Sequence, residues 1–244
     1  AYEYLGDCCF NLQRYSAAED NYLRALESNK AATVAYKLFK TRYQLKKYGE
    51  CLDLNKEYGF ETADTRALPQ SELARLNYYL GDIYFSQADY QNAANYFTRT
   101  LKADKDIEYF NFVLFKLSQS EFYLKNYESS IARLFDILNS PYPEYKSEVY
   151  YRAGLNYLMR DLQDSAVVCF KASMDSYPNF KIEDMSIQIV NIYYNKNNFK
   201  EIISIYENLI TSGANAATIH QIIDKVVYSY FSNSDYDAVI DIVS

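Results

Sequence analysis

The sequence predicts an all-α fold made by repeating a helix pair. Three observations predict it. First, Gly6, Gly81 and Gly154 sit in one recurring pattern, which reads Leu5, Gly6, Cys9, Tyr15, Ala18, Tyr22, Ala25, then Leu80, Gly81, Tyr84, Tyr90, Ala93, Phe97, then Ala153, Gly154, Tyr157, Gln163, Ala166, Phe170. Second, the residue opening the later half of each copy belongs to a longer series, Tyr15, Tyr48, Tyr90, Tyr127, Gln163, Phe199 and Tyr236, with spacings by subtraction of 33, 42, 37, 36, 36 and 37. A period of that length marks a repeat architecture. Third, the chain holds only six Gly and four Pro, so little in it opposes helix.

Seven repeats follow, at about 1–31, 32–58, 71–105, 107–141, 145–179, 180–213 and 215–244, the last incomplete. Each carries two helix-period patterns parted by a short polar break. The third repeat predicts helices over Leu73–Gln87 and Gln91–Leu101, the fourth opens with Tyr109–Lys125, and the second helix of the fifth covers Ser165–Met174. Asp89, Asn126, Asn198 and Asp235 stand just before a second helix, where such side chains accept a hydrogen bond from its free amides. Three residues into the second helix the chain places Ala18, Cys51, Ala93, Ser130 and Ala166, small enough for two helices to approach closely. Ile202 and Val239 take that place in the last two repeats and predict a wider pair there. The longest spacing makes room for a turn-rich loop, Gly59–Gln70, with Asp64 and with Pro69 suited to the first turn of the next helix. Ser140, Pro141, Tyr142 and Pro143 form a second break, since proline does not fit a helix interior. Each break is a place for a hinge, or simply a longer loop.

Charge and composition exclude several functions. Acids outnumber bases 32 to 25 with no basic run, against the basic footprint of a nucleic-acid binder. The cysteines, Cys8, Cys9, Cys51 and Cys169, form no CxxC, and with His220 as the only histidine no zinc ligand set can be assembled. All four read as small, partly buried core residues in a reducing compartment. No apolar stretch reaches the roughly 18–20 residues of a membrane span. The chain starts without Met and both starts and stops inside a helical pattern, which reads as a piece of a longer protein. One histidine gives no nucleophilic triad and reads as a surface or capping residue. The glycines are isolated rather than gathered into a phosphate loop. The Asp235/Asp237 pair complements a helix macrodipole. The expectation is a protein that is not an enzyme and carries no metal and no cofactor.

The pattern resembles the tetratricopeptide repeat family, whose units place a large residue, Leu-Gly, Tyr, then Ala, Phe and Ala at fixed offsets. The first repeat matches at Leu5, Gly6, Tyr15, Ala18, Tyr22, Ala25 and Leu26, and the fifth ends with Pro178 where the family often has proline. Lys40, Ser118, Val190 and Val227 lie at or near the glycine place elsewhere. The resemblance implies a right-handed superhelical solenoid of antiparallel helix pairs, with the first helices lining a concave face. In that register Tyr36, Tyr43, Tyr78, Phe85, Phe112, Phe115, Phe122, Tyr151 and Tyr194 face the groove. Rings offer large apolar area at low entropy cost, so such a groove suits a protein or peptide segment with apolar anchors; the same rings also suit packing between first helices. Family members that grip the C-terminal carboxylate of chaperones use Lys and Asn on these helices. Here the Lys place holds Glu3, Tyr36, Tyr78, Phe115, Tyr151, Ile187 and Asp224, and the Asn place Asp7, Lys40, Asp82, Gln119, Leu155, Asn191 and Tyr228, so no repeat has the pair.

The reading is therefore a non-catalytic interaction scaffold. Its alternatives are a self-associating structural subunit of a bacterial assembly, in the cytoplasm or at the cell envelope, and an accessory domain of a larger enzyme. Frequent Asn, Ile, Lys and Tyr point to an AT-rich genome.

Overall fold

A computed structural model describes residues 1–28, 30–60, 68–103, 109–140, 145–177 and 180–244. Among them are fourteen α-helices and no strand: α1 (Tyr2–Asn11), α2 (Tyr15–Ser28), α3 (Ala32–Gln44), α4 (Tyr48–Tyr58), α5 (Gln70–Ser86), α6 (Tyr90–Ala103), α7 (Phe110–Tyr123), α8 (Tyr127–Leu138), α9 (Lys146–Met159), α10 (Gln163–Ser176), α11 (Ile182–Asn195), α12 (Phe199–Thr211), α13 (Ala216–Ser232) and α14 (Tyr236–Val243). The seven even-numbered helices begin on the seven residues that set the sequence period.

The turn inside each pair has one construction. The residue two before the second helix is left-handed in all seven repeats: Gln13, Lys46, Ala88, Lys125, Asp161, Asn197 and Ser234, with φ between 56° and 62°. The next amide then reaches back to a carbonyl five residues earlier, as Arg14 N–H does to Cys9 at 2.8 Å, Asp89 N–H to Tyr84 at 3.0 Å and Asn198 N–H to Tyr193 at 2.8 Å. This closure satisfies carbonyls that a helix end leaves free. Not one of the seven is glycine, so the turns carry left-handed strain that the packing around them holds in place. Of the four expected caps, Asp89 accepts from the Asn92 amide and Asp235 from that of Ala238. Asn126 and Asn198 occupy the cap position without a side-chain cap bond. Asn215 caps α13 through the Thr218 amide, a cap the sequence reading did not single out.

Packing within the pairs follows the glycines. A Cβ built on Gly6, Gly81 or Gly154 would lie 2.5, 2.8 and 2.5 Å from the rings of Tyr22, Phe97 and Phe170. The ring sixteen residues on therefore lies flat against glycine backbone. These three pairs, α1/α2, α5/α6 and α9/α10, show a more extensive backbone approach than α3/α4, α11/α12 or α13/α14. Ala18, Cys51, Ala93, Ser130 and Ala166 are fully buried at the crossings, as is Ile202, while Val239 is partly buried.

By packing the chain divides into an N-terminal block, Ala1–Leu124, and a C-terminal block, Lys125–Ser244. Tyr36 and Phe39 meet Phe60 in the first, at 6.1 and 6.2 Å; Phe170, Met185 and Ile189 anchor a cluster in the second. Gly59 closes α4 in the left-handed region, and Pro69 stands at the N-cap of α5, one residue earlier than expected. Asp64, Pro141, Tyr142, Pro143 and Pro178 lie outside the described residues, and with them the two hinge expectations.

Candidate functional site

On a first helix, residues twelve, eight and five before the second helix share one face, because they are four and three apart. In the N-terminal block this face is laced from helix to helix. Lys37 of α3 donates to Glu3 and Asp7 of α1, each at 2.8 Å. The Tyr36 hydroxyl donates to the Glu72 carbonyl of α5 at 3.1 Å, and Lys40 pairs with the Glu72 carboxylate at 3.8 Å. The Tyr43 hydroxyl donates to Asp82 at 2.7 Å, and the other oxygen of Asp82 lies 3.1 Å from Lys116 of α7. Acids on α1 and α5 thus alternate with bases on α3 and α7.

The titrating groups reflect this lacing. Burial, then the hydrogen bond to Glu72, raises the Tyr36 phenol; burial, then Asp82, does the same for Tyr43. Burial and the nearby Asp82 charge push Tyr78 up to about 12. Burial lowers Lys40. For Lys37 burial acts downward, but its bonds to Asp7 and Glu3 prevail and raise it. The upward shifts keep these three phenols neutral and Lys37 charged at neutral pH.

The nine expected groove rings fall into three situations. Tyr36 is buried at 3% exposure, and Phe112 is exposed at 37%. The others are half-buried. Tyr78, Phe85 and Phe112 come together: Tyr78 lies 6.2 Å from Phe112, and the Lys116 amine sits 4.8 Å from the Phe85 ring and 5.6 Å from that of Phe112. Phe115 shares α7 with Phe112, and Phe122 meets Tyr123 at 5.8 Å. Tyr151 and Tyr194 belong to the C-terminal block. Tyr151 packs on Phe170 and Phe180 at 6.1 and 5.9 Å, and Tyr194 on Tyr228 at 5.7 Å.

A second internal pattern explains several of these positions. The ring five residues before the second helix packs on the ring that opens it: Phe10 on Tyr15, Tyr43 on Tyr48, Phe85 on Tyr90, Tyr194 on Phe199 and Phe231 on Tyr236, at 5.4 to 6.4 Å. In the fifth repeat the opening residue is Gln163, and its partner place holds Leu158. The two places change together within one chain, a signal present in the sequence itself. Tyr43, Phe85 and Tyr194 therefore also clasp their own turns.

Other candidate chemistry is sparse. Burial pushes the Cys51 and Cys169 thiols up to about 12 and about 11, leaving them protonated. Cys8 departs from the expected core role and is exposed. His220 is exposed on α13. Among the described residues no three His, Cys, Asp or Glu side chains gather as metal ligands, and no helix is long and apolar enough to cross a membrane.

The tetratricopeptide repeat model matches residues 74–107. No curated protein matches the chain in sequence. Among solved structures, the C-terminal part of a repeat-containing protein from Cytophaga hutchinsonii superposes with TM-score 0.68 at 17% identity, over 99% of this chain and 92% of that one. YrrB, described as having an unusual peptide-binding site, gives 0.61 at 16% over 73% and 86%. MamA gives 0.56 at 19% over 70% and 92%. Residues 74–107 are a tetratricopeptide repeat, and the chain has the fold of the tetratricopeptide repeat proteins.

Proposed function

We propose that the chain is a non-catalytic scaffold that binds a segment of another protein on the face of its first helices. The observation that carries the reading is the ring group Tyr78, Phe85 and Phe112 with Lys116 lying on it, part-exposed on adjacent first helices. Rings already held by neighbours lose little freedom when a partner covers them, so their apolar area serves binding efficiently. YrrB, of similar fold, is a peptide binder by its description, which supports the reading. The test is affinity capture with the wild-type chain against Tyr78→Ala/Phe112→Ala, with circular dichroism to verify folding. Reduced capture by the folded variant is expected; unchanged capture counts against this face.

A further inference from the structure

The two blocks differ in chemistry at the place eight residues before the second helix. In the N-terminal block it holds Asp7, Lys40, Asp82 and Gln119. The three charged residues are engaged by Lys37, Glu72, Tyr43 and Lys116. In the C-terminal block it holds Leu155, Asn191 and Tyr228, with no charge among them. Beside Leu155, α9 exposes Met159 at 56%, and Tyr228 of α13 is 48% exposed while its ring meets Tyr194 of α11. An uncharged, part-exposed strip thus crosses α9, α11 and α13. Apolar surface gathered this way marks an interaction site more than scattered exposure does.

Two cations border the strip. On the N-terminal first helices Lys37, Lys40 and Lys116 each reach a carboxylate, as expected in a chain where acids outnumber bases. Lys181 and Lys225 form no ion pair among the described residues. Their amines lie on rings instead, 4.5 Å from Tyr151 and 5.9 Å from Tyr194. An amine on a ring is held away from bulk water on one side, so an arriving carboxylate meets it at reduced dielectric. Asp184 and Asp224 lie close by in sequence, so the edge is not broadly positive and attraction is confined to carboxylates that reach the amines themselves.

We propose that α9, α11 and α13 dock a protein segment carrying apolar side chains with carboxylates beside them. The apolar groups lie against Leu155, Met159 and Tyr228, and the carboxylates meet Lys181 and Lys225. The proposal rests on the scaffold reading and narrows it to one block and one partner class. Apolar contact supplies affinity, and the two amines select acidic over basic segments.

A randomised peptide display library, selected on the full 244-residue chain, tests it with three baits: wild type, Lys181→Glu/Lys225→Glu and Tyr78→Ala/Phe112→Ala. Lys181 stands at the N-cap of α11 and Lys225 lies on α13, and circular dichroism verifies that their variant folds. Expected are enriched peptides that combine apolar and acidic residues, lose at least about tenfold in affinity on the double-lysine variant, and bind the ring variant within about twofold, tenfold being 1.4 kcal/mol. Enrichment of basic or uncharged peptides overturns the proposal, as does binding that survives charge reversal. Peptides lost only on the Tyr78/Phe112 variant uphold the scaffold and overturn this assignment. No enrichment on any bait counts against both.

Discussion

Alanine at Gly154 tests whether the glycines are packing residues, because two effects of opposite sign meet there. Glycine in a helix interior costs roughly 0.8–1.0 kcal/mol relative to alanine, so propensity alone predicts stabilisation. The added Cβ, however, would stand 2.5 Å from Cε1, 2.7 Å from Cδ1 and 3.0 Å from Cζ of Phe170. Carbon atoms rest at about 3.5–4.0 Å, so the ring must retreat by about 1 Å. Phe170 is fully buried and packs on Tyr151, which leaves it nowhere free to go. Overpacking of this kind costs about 1–3 kcal/mol, so the net expectation after the propensity gain is a loss of up to about 2 kcal/mol. Gly49 provides the internal control, since a Cβ there meets nothing within 4 Å. Gly49→Ala should stabilise by up to about 1 kcal/mol. Urea unfolding followed by helical ellipticity measures both, and hydrogen exchange of α9 and α10 assigns the Gly154 effect to its own pair, because repeat arrays need not unfold in one step. Adding Phe170→Leu should recover part of the Gly154→Ala loss, as a double-mutant cycle reads coupling between touching residues. Equal stabilisation by both alanines, or a cycle without coupling, would refute the role assigned to the glycines.

Three further outcomes follow. Ala88 has φ 60° in the third turn, so Ala88→Gly should raise stability by about 1 kcal/mol, visible as a higher urea midpoint. The Glu183 carboxylate takes hydrogen bonds from the Asn215 backbone and then from Thr218, and these lower its pKa. Its contribution is therefore present above the unfolded-state pKa and lost as pH falls through the folded one. The Tm difference between wild type and Glu183→Gln should be full at neutral pH and close below the ordinary carboxylate range; a gap that persists at acid pH would contradict the assignment. Calorimetry with a chaperone C-terminal peptide should show no micromolar binding, since Tyr36 is buried at one Lys place and Lys40 and Asp82 at Asn places are engaged by Glu72 and by Tyr43 and Lys116.

The helix pairs were readable because their constraints are local. Tyr15, Tyr48 and the rest of that series mark where a second helix starts, and Gly6, Gly81 and Gly154 mark which pairs close tightly; both depend on residues fewer than twenty apart. The left-handed turn residues were not readable. Gln13, Lys46 and Ala88 share no side-chain chemistry that would announce positive φ, and the conformation is imposed by the 6→1 backbone closure and the helices on either side. Asn126 and Asn198 show the converse, good cap residues at cap positions without a cap bond, although Asp89 and Asp235 make one in turns of the same construction.

The site was readable only as a face. Register assigns Tyr36, Tyr43 and Tyr78 to one side of the first helices, because helix geometry decides which way a residue points. Exposure is decided by what the next helix brings, and that depends on residues thirty or more positions away. Tyr36 is covered because Glu72 offers its carbonyl across the gap, while Tyr43 is held by Asp82 and by its own Tyr48. Leu158 opposite Gln163 is the informative exception. Where the opening ring is absent its partner ring is absent too, so an aromatic at that place answers first to its own turn. Tyr78 and Phe112 have no such turn partner, but Tyr78 also packs on the buried Phe97, so it is substitution of the exposed Phe112 that should separate binding from folding. Tyr43→Ala should lower stability together with any binding. Phe112→Ala should lower binding while leaving the urea midpoint within about 0.5 kcal/mol of wild type, the usual range for surface changes. A Phe112→Ala variant that unfolds as readily as Tyr43→Ala would mean that these rings, too, serve only the fold.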